Sequence, residues 1–167
     1  MPHAAKEMSR APRSSSPKSI DATKLLKADH KEVSELFEKF ESGRLAPAKK
    51  KALAKQICTA LTVHAQIEEE IFYPAAREAA KKADQNMLDE AEVEHASIKD
   101  LVAAIEDGSA SALFEANVHV LGEYVKHHVK EEETELFPAL KSTDMDMEDV
   151  GAQLAQRKDE LMSKAGK

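Results

Sequence analysis

Apolar residues return every three or four positions along four stretches of this chain, the mark of a helix with one buried face. The first stretch carries Leu26, His30, Val33, Phe37 and Phe40 and closes at Ser42–Gly43. The second opens at Pro47, a good first helical residue, and turns Ile57, Leu61, His64, Glu68, Ile71 and Ala75 inward. Pro74 predicts a kink or break there, because proline lacks an N–H and crowds the carbonyl one turn back. The third places Leu88, Ala91, His95, Ile98, Val102 and Ile105 on one face and stops at Asp107–Gly108. The fourth carries Phe114, Val118, Leu121, Val125, His128, Glu132 and Ala139, with Pro138 near its end. Val150, Leu154 and Leu161 predict a shorter amphipathic helix outside the main bundle. Residues 1–19 are rich in Ser, Pro and basic residues without apolar periodicity, which predicts a disordered tail. The expected organisation is a tail over 1–19, a helical bundle over 20–141 and a C-terminal helix or tail over 142–167.

The two halves repeat each other. Asp29–His30 is answered by Glu94–His95, and HAQIEEEIFYP (64–74) by HVKEEETELFP (128–138). His30 and His64 are 34 residues apart, His95 and His128 33. Antiparallel helices bring residues level when both lie equally far from the connecting turn. The midpoints between successive histidines fall at residue 47, at 79–80 and at 111–112, on or beside the predicted links. An all-α, up-down-up-down four-helix bundle therefore gathers His30, His64, His95 and His128 at one height. Each lies in the apolar stripe of its own helix.

Composition supports this architecture and removes others. Ala, Glu, Lys and Leu, all strong helix formers, dominate. Glycine (5) and proline (6) are too scarce for a chain of many short strands. The net charge of −7 argues against a nucleic-acid partner. No apolar run reaches the ~18–20 residues of a membrane span, and no apolar leader opens the sequence. A single cysteine, Cys58, cannot form an internal disulfide and reads as a small core residue. The default location is cytoplasmic, and nothing in the sequence names a protein partner.

Glu68 and Glu132 follow His64 and His128 by one turn on the same face. Two carboxylates and four imidazoles would then line the interior of an apolar bundle. Buried unpaired carboxylates are costly, and a pair of cations removes that cost. Mixed imidazole and carboxylate donors suit iron or manganese. A single buried histidine is more often a hydrogen-bonded core residue than a ligand; four level ones with two inward glutamates reverse that balance. His127 competes with His128, but shares its face with Val120 and Glu131 and reads as exposed. His3 and His119 have no glutamate one turn on. Glu69, Glu70, Glu131, Glu133 and Glu135 read as a solvated acidic face, with Glu69 or Glu131 as substitute ligands in a minor reading. Tyr124, one turn before His128, is either a hydrogen-bonding neighbour of the site or half-buried core.

A His on the first helix, H-x-x-x-E on the second, a His on the third and H-x-x-x-E on the fourth resembles the hemerythrin-like, HHE cation-binding family. The pattern stands here as His30, His64/Glu68, His95 and His128/Glu132, and the resemblance covers residues 21–141. It implies a non-haem di-iron centre with both glutamates bridging, His30 and His64 on one iron, His95 and His128 on the other. An oxo or hydroxo bridge and an open position for O2, peroxide or NO are further implications. Oxygen-carrying hemerythrins have H-x-x-x-H on the third helix, whereas Ala91 and Lys99 flank His95 here. That departure moves the expectation from reversible O2 carriage toward redox chemistry or sensing. The competing readings are iron storage or sensing and a metal-free helical scaffold; whether the chain turns over a substrate stays open.

Overall fold

The computed structural model describes residues 20–108 and 111–166; the expected tail over 1–19, with His3, lies outside them. Asp21 caps α1 (Ala22–Glu41), its carboxylate accepting the N–H groups of Thr23 and Lys24. Gly43, at φ 77°, reverses the chain in a conformation glycine adopts freely. α2 (Pro47–Ile67) then returns alongside α1, with Pro47 in its first turn. After a link at 80–84, α4 (Gln85–Asp107) and α5 (Phe114–Glu131) form the second hairpin, and α7 (Met147–Ala165) closes the chain. No strand occurs among the described residues, and no helix there is long and apolar enough to cross a membrane.

Pro74 does not break the second helix. A π turn over Glu68–Phe72 follows α2, and α3 (Tyr73–Ala79) continues from it without an intervening loop. The Tyr73 N–H bonds the Glu68 carbonyl five residues back, so the wider turn ends just before the proline that could not have donated. The fourth helix repeats this device: a π turn over Glu132–Leu136, then α6 (Phe137–Lys141), with Phe137 N–H on the Glu132 carbonyl. The extra residue in each π turn shifts the inward face by one. The expected inner residues Ile71, Ala75 and Ala139 are only partly buried, whereas their successors Phe72, Ala76 and Leu140 are buried.

The apolar interior is divided in two. One cluster joins Leu26, Ile67, Phe72, Leu88, Phe137 and Leu140 with Val150 and Leu154 of α7. The other joins Val33, Phe40, Ile57, Leu61, Ile98, Val102, Val118 and Leu121. Between them lies a layer of buried polar side chains: Asp29, His30, His64, Glu68, His95, His128 and Glu132. The extra helix α7 has 19 residues and sits against α1 and α2. Gly151 makes that seat possible, since a Cβ there would meet the Ile20 carbonyl oxygen at 1.8 Å.

Candidate metal centre

All six residues expected at the site meet in this polar layer. His30 comes from α1, His64 from α2, His95 from α4 and His128 from α5; each helix turns its apolar face inward and carries its imidazole with it. Glu68 and Glu132 open the two π turns. The His30 and His64 Nε2 atoms lie 3.1 Å apart, and so do those of His95 and His128. Each carboxylate spans both pairs. Glu68 places Oε1 2.8 Å from His64 Nε2 and Oε2 3.0 Å from His95 Nε2. Glu132 places Oε1 3.3 Å from His128 Nε2 and Oε2 3.3 Å from His30 Nε2.

The outer nitrogen of every imidazole faces a carboxylate. His64 Nδ1 meets Asp29 at 3.0 Å, and His128 Nδ1 meets Glu94 at 2.8 Å. His30 Nδ1 meets Glu133 at 2.9 Å, and His95 Nδ1 meets Glu69 at 3.0 Å. These partners accept the Nδ1 proton, which fixes the tautomer and turns the Nε2 lone pair inward. Glu69 and Glu133 were expected on a solvated face. They are instead only about a third exposed, at 31% and 34%, and are engaged with the site.

Tyr73 was not foreseen. Its hydroxyl donates to Glu132 Oε1 at 2.5 Å, with Glu68 Oε2 and His95 Nε2 each 3.0 Å from the same oxygen. Burial, Glu68 and Glu132 hold its phenol well above the ordinary tyrosine range. In an uninterrupted α-helix a residue five after Glu68 would not share its face; the π turn brings it round. Pro74 was the signal. Tyr124 is half exposed, at 51%, and makes no contact with the site. His127 and His119 are exposed and pair with Glu131 and Glu41. Cys58 is buried in the apolar cluster, and desolvation pushes its thiol up to about 12, which suits a packing role.

The donor set fits cations. Glu68 Oε1 and Glu132 Oε2 are buried and make no well-directed hydrogen bond; the nearest nitrogens, His64 Nε2 and His30 Nε2, lie 2.8 and 3.3 Å away. Without metal, the cluster balances its charge with protons on imidazole. Burial pulls His64 down, but Glu68 and Asp29 outweigh it and hold His64 at about 10. Burial likewise opposes His128, which Glu132 and Glu94 raise to about 11. Burial alone would raise Glu68, yet His64 and His95 hold it well below the usual carboxylate range. Glu132 is lowered too, by His128 and His30, against both burial and Glu68. Positive charge on His64 and His128 thus offsets the two buried carboxylates in the metal-free fold. Donors held about 2.1 Å from one ion at right angles lie about 3.0 Å apart, close to the imidazole spacing seen here. Two overlapping donor groups result, His30, His64, Glu68 and Glu132 in one and Glu68, His95, His128 and Glu132 in the other.

Comparison with known proteins bears on the fold and the family. A crystal structure of a hemerythrin HHE cation binding domain-containing protein from Mycobacterium kansasii superimposes with a TM-score of 0.72. It covers 87% of this chain and 89% of that one at 23% identity, a likeness of fold. A protein from Nostoc sp. described as a DNA nickase is 30% identical over 118 residues, 71% of this chain. Those residues are 33% of that protein, so the chain spans about a third of the relative's length. The family model of the hemerythrin HHE cation binding domain matches residues 21–140. The chain therefore belongs to the hemerythrin HHE cation binding domain family.

Proposed function

We propose that the chain holds two iron ions between its helices and uses them to bind, sense or react with O2, peroxide or NO. His30, His64, Glu68, His95, His128 and Glu132 would hold the pair, with manganese as the alternative metal. The observation that carries this reading is the sharing of each carboxylate between two imidazole pairs, one oxygen to each. A metal pair bound there would supply redox chemistry toward a small oxidant or gas.

The chain's own residues define what reaches that site. A cavity of about 20 Å³ lies beside the four histidines, walled by Val33, Leu61, Ile98, Val125 and Val129. A water occupies roughly 10–15 Å³ on this measure, so the space suits a molecule of one or two heavy atoms. Its apolar wall favours O2, NO or peroxide over larger polar substrates. A broader groove between α1 and α5 reaches His30 and Glu133 from the surface, past Phe37 and Val129. Asp29, Glu69, Glu94 and Glu133 keep the Nδ1 protons outward, so the Nε2 donors stay free. The Tyr73 hydroxyl stands at the inner oxygens of the His95/His128 half.

Phosphodiester cleavage, named for the longer Nostoc relative, fits less well. A duplex requires a basic surface, while this chain carries a net charge of −7 and buries its donors. Storage or sensing of iron uses the same donors and differs in reactivity.

Metal analysis with an absorption spectrum of aerobically purified protein tests the proposal. We expect about two irons per chain with near-ultraviolet charge-transfer bands that change on adding peroxide or NO. Folded protein that refuses iron on reconstitution would leave the metal-free scaffold as the answer. Two irons inert to every oxidant and gas would leave storage.

A further inference from the structure

The four imidazole–carboxylate pairs around the centre are not equally enclosed. Glu94, Glu69 and Glu133 keep 23%, 31% and 34% of their side chains exposed, and the second oxygen of Glu69 meets the exposed Lys99. Asp29 keeps 9%. The cover over it is α7, packed on α1 and α2 through Val150 and Leu154. A carboxylate taken out of water in this way needs a compensating charge. Lys158 of α7 supplies it, with Nζ 2.5 Å from Asp29 Oδ1 while Asp29 Oδ2 receives the His64 Nδ1 proton at 3.0 Å. Each oxygen of Asp29 has one partner, and the carboxylate can take up one orientation only. Arg157, the preceding residue, pairs with Glu70 of the π turn at 2.7 Å and holds the same stretch of α7 against the bundle.

We propose that Lys158 is a positioning residue of the metal centre, acting through Asp29 on His64, so that α7 forms part of the site. The inference rests on the metal reading given above. Lys158 is 31% exposed, less open than the lysine that stands behind the His95 pair. Lys99, which meets Glu69 at 2.6 Å behind His95, is 53% exposed and is replaceable by solvent. Loss of Lys158 would leave Asp29 Oδ1 without its partner. The carboxylate would then be free to turn, and His64 would lose the acceptor that aims its Nε2. Outer partners of metal-bound histidines typically contribute about 10- to 100-fold in metal affinity, and Lys158, one contact further out, is expected at the lower end.

The test compares Lys158→Met, Lys158→Arg and Lys99→Met in the full chain. Imidazole 15N spectra of the metal-free proteins read the ring directly. Lys158→Met should move the His64 signals and leave those of His128 in place, while Lys158→Arg restores them. The proteins are then loaded anaerobically with ferrous iron, and its release to a chelator is timed. One of the two equivalents should leave about tenfold faster from Lys158→Met, with the other within twofold of the parent and Lys99→Met close to the parent in both. Unmoved His64 signals in Lys158→Met would overturn the proposal. So would equal acceleration of both equivalents with a lowered melting temperature, the pattern of a lysine that only stabilises the fold. Failure of the parent chain to take up two equivalents would overturn the metal reading by itself, while the metal-free spectra still judge Lys158.

Discussion

The His30/His64 half and the His95/His128 half of the centre are built from the same repeated hairpin, yet they end in different chemistry. Tyr73 and Phe137 occupy matching places in the repeat, each one residue before a proline and five after the bridging glutamate. Tyr73 puts a hydroxyl among Glu68, Glu132 and His95. Phe137 instead lies parallel to the His30 ring, 6.1 Å between centroids, and brings no polar atom. The outer shells diverge too. α7 and Lys158 enclose Asp29 behind His64, while the corresponding Glu94 behind His128 faces Glu131 and solvent. The repeated hairpin gives a symmetric donor set, and Tyr73, Phe137 and α7 make its halves unequal. The inequality lies in the surroundings, because the inner donors match one for one.

The largest effect should come from what the halves share. Glu68 and Glu132 each touch both imidazole pairs, so Glu68→Ala with Glu132→Ala should abolish binding of both ions together. The same change should also lower the stability of the metal-free fold, because it removes the carboxylates that face the buried His64 and His128 imidazoles and the Tyr73 hydroxyl. Metal analysis and thermal melts of the metal-free and loaded proteins check this. Retention of one ion by the double variant would show that the halves do not depend on common bridges.

Next in size is the response to pH. His64 and His128, ordinarily near 6.5, stand at about 10 and about 11 in the metal-free fold. Raised values stabilise the folded state fully below pH 6.5, and that contribution drains away as pH rises toward 10–11. Glu68 and Glu132 are lowered, so theirs is present above the ordinary 4.5 and lost as pH falls through their folded values. In the loaded protein cations replace the imidazole protons, and the alkaline loss should vanish. The gap in melting temperature between loaded and metal-free protein should therefore widen from pH 6.5 to 9. Parallel curves would mean that protons and metal do not compete at these imidazoles.

The six inner donors were legible in the sequence because they follow the helical period and recur at matched distances from the turns. Helix count and hairpin order were legible for the same reason. What escaped depends on a change of period or on distance along the chain. Ile71 and Ala75 were assigned inward by a 3.6-residue count that the π turn invalidates, and Tyr73 was lost in the same step. Glu133 meets His30 across 103 residues, so its place in the π turn after α5 gave no warning. Glu69 and Glu94 meet histidines of neighbouring helices in the same way. The α7 helix was visible as an amphipathic stretch, but its seat on α1 and α2 depends on Gly151 and two ion pairs between residues far apart in sequence, which no local pattern encodes.

Tyr73→Phe tests the comparison more finely, since it gives both halves a phenyl ring at this place. Two ions should still bind. The metal-free protein should lose about 1.5–3 kcal/mol, the usual worth of a hydrogen bond to a charged group, and any spectroscopic difference between the two ions should shrink. Mössbauer spectra of the iron-loaded variant would show one broadened environment in place of two. Two equally distinct environments in Tyr73→Phe would move the source of asymmetry to α7 and Lys158.

The smallest effect should belong to His127, adjacent to His128 and opposite to it in role. Its imidazole is exposed and pairs at 3.1 Å with Glu131, itself partly exposed, the kind of surface pair that contributes about 0–1 kcal/mol. His127→Ala should leave iron content at two and melting temperature nearly unchanged. His128→Ala should remove the ion of its own half and leave Glu132 with His30 alone. The two neighbouring substitutions separate a ligand position from its sequence context, because helix α5 turns them about 100° apart. Iron loss from His127→Ala with retention in His128→Ala would mean that α5 sits one residue out of register with the repeat.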